Sequence, residues 1–177
     1  MKFDRLAFLL TGSLLLFGCF SYNLNPDTKS VANTETFTVD VDFTHCFVIP
    51  LLGRTVCKDG VNFYGTGFDL NYDPAVIQFQ SISVSGSAWS GTSAVTAFRN
   101  SGTDNGKLVV GISKQGQVAG DTAAGKIATV TFQAVGAGST EISFGDQQLV
   151  DGSGNFLLGW RNFAFVNSNK SAVTVTP

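Results

Sequence analysis

The stretch Thr36-Phe37-Thr38-Val39-Asp40-Val41-Asp42-Phe43 decides the fold, because Phe37, Val39, Val41 and Phe43 alternate with Thr38, Asp40 and Asp42. A period of two puts one set of side chains on a buried face and the other in water, which is a β-strand with one wet side. The same period recurs along the chain. Phe68, Leu70 and Tyr72 alternate with Asp69 and Asn71, and Asp73-Pro74 then breaks the run before Val76–Val84. Asp and Pro set turn geometry, so two strands meet there. Leu108, Val110 and Ile112 follow a turn built from Ser101–Gly106, with Ala94–Arg99 as the hairpin partner. Ala128, Val130, Phe132 and Ala134 form a further strand, Ile142 and Phe144 another, and Phe163, Phe165, Ala172, Val173 and Val175 supply the closing strands. Composition agrees, since Glu occurs only at Glu35 and Glu141 while Gly, Val, Thr, Ser and Phe are abundant. Good surface helix formers are scarce, and an all-β sandwich or barrel is expected.

The chain has 177 residues, 44% of them apolar and 14% charged, with a formal charge of -2. That is one domain with enough apolar side chains for a core. No basic cluster occurs anywhere along it, which removes nucleic acid as a partner.

The N-terminus reads as an address. Lys2 and Arg5 precede an apolar run of 12 positions, Leu6–Phe17, followed by Gly18 and Cys19. A helix needs about 20 residues to span a bilayer, so the run is a signal peptide rather than a lasting transmembrane segment. Its ending, Leu16-Phe17-Gly18-Cys19, resembles the bacterial lipobox, which implies diacylation of Cys19 and cleavage after residue 18. Phe20 in place of an acidic residue resembles outer-membrane rather than inner-membrane lipoproteins. Residues 19–35, with Asn23, Asn25, Pro26, Asp27, Lys29 and Asn33, read as the lipidated Cys and a flexible tether. The folded domain is expected over 36–177.

With Cys19 committed to lipid, Cys46 and Cys57 remain as an even pair in an exported chain, and a disulfide is expected. Zinc is the rival reading, but His45 is the only histidine and further ligands are lacking. Between the cysteines, Phe47, Val48, Ile49, Pro50, Leu51 and Leu52 make an apolar run with a proline that a central strand excludes. It reads as a stapled loop, whose apolar side chains either cap the core or form a contact patch.

Several segments fall in the order of a known family. Phe68-Asp69-Leu70-Asn71-Tyr72-Asp73-Pro74-Ala75-Val76-Ile77 resembles the strand, Tyr-Asp-Pro turn and strand of cohesin modules. Gly125-Lys126-Ile127-Ala128-Thr129-Val130-Thr131-Phe132 and Gly138-Ser139-Thr140-Glu141-Ile142-Ser143-Phe144 are similar to two further cohesin strands, and Ser171-Ala172-Val173-Thr174-Val175 to the last. The resemblance implies a nine-stranded jelly-roll β-sandwich with no catalytic role and no cofactor. It also implies a protein partner: a dockerin, the small calcium-loaded helical module carried by polysaccharide-degrading proteins. Type I cohesins contact dockerin through an Asn and an Asp two apart in the strand before the Tyr-Asp-Pro turn, and the register puts Gly65 and Gly67 there. Glycine offers main chain to a closely approaching partner. The segment Cys46–Cys57 has the look of an insertion between the first two strands.

No catalytic constellation accompanies these motifs. His45 adjoins Cys46 and reads as a loop histidine, no Ser stands in a Gly-x-Ser-x-Gly elbow, and Asp40 and Asp42 are explained by the wet face of a strand. Asp151-Gly152-Ser153-Gly154-Asn155 begins like a calcium loop, yet Phe156 stands where such a loop needs Gly, so it reads as a turn. No metal site is assigned. Direct polysaccharide binding is the alternative function, with Trp160 and Trp89 as the candidate stacking rings, and a structural role in an envelope assembly is the third.

Overall fold

The computed structural model describes residues 17–49, 54–57, 63–89, 94–100, 105–116, 118–120, 124–155 and 165–177. They form twelve strands: β1 (Phe17–Asn25), β2 (Thr28–Ala32), β3 (Thr36–Ile49), β4 (Arg54–Cys57), β5 (Phe63–Asn71), β6 (Ile77–Ser83), β7 (Ala94–Asn100), β8 (Lys107–Lys114), β9 (Gly125–Ala134), β10 (Gly138–Asp151), β11 (Phe165–Ser168) and β12 (Lys170–Thr176). Two six-stranded sheets result, one ordered β11-β1-β3-β9-β6 with β4 added to β3, the other β2-β12-β10-β5-β8-β7. Two of the passages from the first sheet to the second interrupt what is otherwise one continuous strand run, at Pro26 between β1 and β2 and at Asn169 between β11 and β12. With each of those runs counted once and the β4 arm set aside, the nine-stranded sandwich expected from the sequence is what stands.

The alternating residues meet between the sheets. Val39, Val41, Phe43, Val130 and Phe132 from one sheet face Leu70, Leu108, Val110, Ile142 and Val173 from the other, all of them buried. Aromatic rings bridge the layers: Phe43 meets Phe63 at 5.1 Å and Tyr22 meets Phe144 at 5.7 Å, and Phe63 stacks on Trp89 at 4.8 Å. Rings of this size bury about 150–250 Å² each, so they carry much of the core.

Three expectations are corrected. The tether is not one: residues 20–32 lie in β1 and β2, and Phe20, Tyr22, Leu24 and Val31 are core residues. Phe20, Tyr22 and Leu24 alternate with Ser21, Asn23 and Asn25, a short strand period hidden among asparagines. The stapled loop is an arm: Phe47, Val48 and Ile49 extend β3 and pair with Val56, Thr55 and Arg54 of β4. His45 is not a loop residue but sits in β3, 5% exposed, with its ring stacked on Phe20 at 4.7 Å.

Asn169 stitches the two crossings together. Its side-chain carbonyl accepts from Leu24 N at 2.6 Å, and its amide donates to Leu24 O at 3.0 Å and to the Asp27 carboxylate. A side-chain amide thus substitutes for a strand neighbour where β1 leaves its sheet. Ser171 Oγ adds a hydrogen bond to Pro26 O at 2.6 Å.

Candidate functional site: a glycine-floored trough across four strands

The outer face of the second sheet carries an unusual row. Gln148, Gly67, Gly111 and Ala97 are in register across β10, β5, β8 and β7, so three of four adjacent strands present Gly or Ala at the same level. On one side the row is flanked by Val150, Gly65, Ser113 and Val95, on the other by Asp69, Val109 and Arg99. A shallow depression of about 470 Å³ follows, lined by Gly67, Asp69, Val109, Gly111, Asp146 and Gln148 and reaching Phe98 at the β7 edge. Strands lie about 4.8 Å apart and residues i and i+2 about 6.8 Å apart, so the trough spans ~14 Å across the strands and ~14 Å between its flanking rows. An α-helix with side chains is about 10–12 Å across. The trough is therefore the size of one helix laid across the strands.

Its chemistry is mixed. Val109 is an exposed apolar side chain on this face, at 40% of its surface, whereas Phe98, in register with buried Val110, turns to the other face of β7 and meets the Phe79 ring at 5.2 Å. At the bulge in β10, Asp146 and Gln148 are exposed. Asp69 is held by Lys107, whose Nζ lies 2.7 Å from Oδ2. The hydrogen bond to Asp69 and its charge, with Asp146 adding to them, keep the Lys107 ammonium above its ordinary pKa. A Cβ at Gly145 would meet the Asp69 Cβ at 3.0 Å, which is why the bulge carries glycine over that pair. The two trough glycines of β5 differ: a Cβ on Gly67 would come no closer than 3.6 Å to any atom, whereas on Gly65 it would press on Ile112 O at 3.3 Å.

Beneath the trough the sheet is fastened to its partner. Thr66, between the two glycines, points inward to Tyr22 Oη at 2.8 Å, and its own hydroxyl donates to Gln148 O at 3.0 Å. Burial holds the Tyr22 phenol well above its ordinary pKa, so it stays a neutral partner. The floor is thus tied to β1 of the opposite sheet.

Comparison with known proteins identifies the family and the fold. The cohesin domain family matches residues 54–156, more than half of the chain. The chain belongs to the cohesin domain family. No curated relative matches the sequence. Among solved structures, a cohesin from Clostridium thermocellum in a type I cohesin–dockerin complex is 11% identical with a TM-score of 0.62, covering 90% of this chain and 93% of that one. The third cohesin of ScaC from Acetivibrio cellulolyticus, in complex with the ScaB dockerin, is 12% identical with a TM-score of 0.63, covering 89% and 99%. A non-cellulosomal cohesin from the archaeon Archaeoglobus fulgidus is 12% identical with a TM-score of 0.58, covering 89% and 91%. At these identities the likeness is one of fold.

In this cohesin the residues singled out from sequence do not gather at one place. Gly65 and Gly67 lie on the trough, as described. Phe47, Val48 and Ile49 lie on the arm of the other sheet, while Leu51 and Leu52 fall outside the described residues. Cys46 stands opposite Cys57 in the β3–β4 register, and opposite Cys19 on its other side. Trp89 is corrected as a sugar-stacking candidate, because it is 2% exposed and stacked on Phe63. A large ring inside a Ser-Ala-Trp-Ser-Gly turn reads as a surface residue, yet here it closes the core. Trp160 lies outside the described residues. Asp151 holds a turn: its Oδ1 accepts from Ser153 N at 2.8 Å and Asn155 N at 2.9 Å, which lowers its pKa. Among the described residues no three His, Cys, Asp or Glu side chains are grouped to hold a metal. Sequence reasoning missed Gly111, Val109 and Asp146. The first is readable only once β5 and β8 are set in register, since a lone Gly inside Leu108–Ile112 has no meaning by itself.

Proposed function

We propose that this cohesin is a non-catalytic receptor that holds a dockerin-bearing protein in the Gly67–Gly111–Ala97 trough, displayed from a membrane through acylated Cys19. The observation that carries the reading is the register of small residues across β10, β5, β8 and β7. A partner helix laid there meets backbone at the floor, apolar contact at Val109, and negative charge at Asp146. This is helix-in-groove recognition, with a sheet in place of a helical groove. The Asn and Asp grip of type I cohesins is replaced by shape, so partners are selected by how closely a helix approaches. The lipobox-like ending Leu16-Phe17-Gly18-Cys19 and the non-acidic Phe20 support attachment in the outer membrane of a bacterial envelope. The Cys46–Cys57 register supports a disulfide at the root of the arm. Burial of Trp89 takes one ring away from the polysaccharide alternative.

The test is calorimetric titration of the acylated protein, in detergent, with purified calcium-loaded dockerin modules from the source organism's own secreted proteins. One-to-one binding by at least one of them, abolished by a calcium chelator, is expected. Absence of binding across the set, with saturable binding to an insoluble polysaccharide, would transfer the function to sugar recognition.

A further inference from the structure

Cleavage before Cys19 would make that residue the first of the mature chain, and Phe20 after it is already a core residue of β1. Consecutive Cα atoms are about 3.8 Å apart, so an acylated Cys19 has no linker between the lipid and the fold. The end of the first sheet must then sit at the depth of the headgroups. Cys19 pairs with Cys46 of β3, and on its leader side Gly18 and Phe17 pair with Phe47 and Val48. Strand β3 therefore continues past Cys19 in the direction from which the leader comes, which is the direction of the membrane. Three residues at ~3.4 Å each carry it about 10 Å beyond Cys46 before Pro50, and interfacial apolar segments bury to about 5–10 Å.

The composition of this arm fits that depth. The described strands of the arm, 44–49 and 54–57, include Phe47, Val48 and Ile49 as an apolar run, carry Arg54, and contain no Asp or Glu, in a chain whose net charge is -2. Apolar side chains with basic neighbours are what an anionic headgroup layer accepts. We propose that the β3–β4 arm docks into the headgroup–acyl boundary of the bilayer that holds Cys19. It acts as a second, non-covalent contact that stands the sandwich on end. The inference rests on Cys19 being acylated. Its consequence is that the trough on the other sheet faces sideways, clear of lipid, without a tether.

The experiment places a photoreactive amino acid at Ile49 or at Gln78 in the full exported chain and reconstitutes each in phosphatidylethanolamine–phosphatidylglycerol vesicles. Gln78 is the control because it aligns through Gln133 with Thr36, at the far end of β3. That is ten residues or about 34 Å from Cys46. Lipid adducts at Ile49 are expected at least tenfold above those at Gln78. The mass of the N-terminal peptide is read in the same sample and separates two failures. Acylated Cys19 with equal labelling at both positions overturns the arm's docking alone, whereas Cys19 without acyl chains overturns the anchor and the docking together.

Discussion

Asp42 shows how a residue on the wet face of the deciding strand still bears on stability. Partial burial raises its pKa above the ordinary carboxylate value and the neighbouring Asp40 raises it further, while the hydrogen bond with Asn25 and the charge of Lys126 work against them. A raised pKa means that the folded state holds the proton more tightly than the unfolded chain. The contribution is intact below the unfolded pKa and is lost as pH rises through the folded one. At neutral pH Asp42→Asn is therefore expected to raise the melting temperature slightly, by an effect of about 0.5 kcal/mol or less. The gain should vanish when melts are repeated below the ordinary carboxylate range. A gain that persists in acid would show that charge is not its source. Asn169 is the opposite case, a residue that carries several bonds at once. Asn169→Ala strips partners from Leu24 N and Leu24 O at a part-buried crossing, at a cost of about 2 kcal/mol. For a domain of this size that corresponds to roughly 4–8 °C in Tm. An unchanged Tm would mean that water replaces the amide there.

At the scale of elements, the strands with long clean alternation were legible from residues alone. β3, β8, β9 and β12 follow directly from apolar residues two apart, and the Asp73-Pro74 turn is confirmed by Asp73 O accepting from Val76 N and Ile77 N, both at 3.1 Å. β1 and β2 were not legible, because β2 has only five residues, the alternation of β1 is set among asparagines, and Asn25-Pro26-Asp27 between them carries the composition of a linker. Their burial comes from long-range pairing, with β1 against β3 and β2 beside β12, which no local pattern records. The arm was hidden for a similar reason: Phe47, Val48 and Ile49 lack alternation, and only the Cys46–Cys57 register reveals two strands. That register yields a prediction of its own. Cys46 has Cys19 on one side and Cys57 on the other, and the acylation proposed for Cys19 would remove the first as a partner. Peptide mapping without reduction is expected to recover a Cys46–Cys57 linkage as the sole disulfide. Two free thiols in protein taken from an oxidising compartment would contradict it.

At the scale of the whole molecule, we propose that one sheet serves attachment and the other recognition. The anchor end and the arm belong to the sheet that contains β1 and β3, while the trough lies on the sheet of β5, β8 and β10, with Tyr22 and Thr66 tying the two. The family was legible because its turn and strand motifs keep their order along the sequence. The trough was not, since it is a property of register: residues as distant as Gly67, Gly111 and Gln148 meet only when three strands align. The measurement that bears most directly on the receptor role compares two arginine substitutions for their effect on dockerin affinity. Gly67→Arg fills the floor from a position where a new Cβ meets nothing within 3.6 Å, so the fold should tolerate it. Gln78→Arg adds the same charge on the exposed side of β6 in the other sheet. Blocking a central contact costs about 2 kcal/mol or more, which is roughly a thirtyfold loss. Calorimetry is expected to show that loss for Gly67→Arg and unchanged affinity for Gln78→Arg, with both variants melting cooperatively. Equal affinity for the two variants would place the partner elsewhere and contradict the trough as the recognition site.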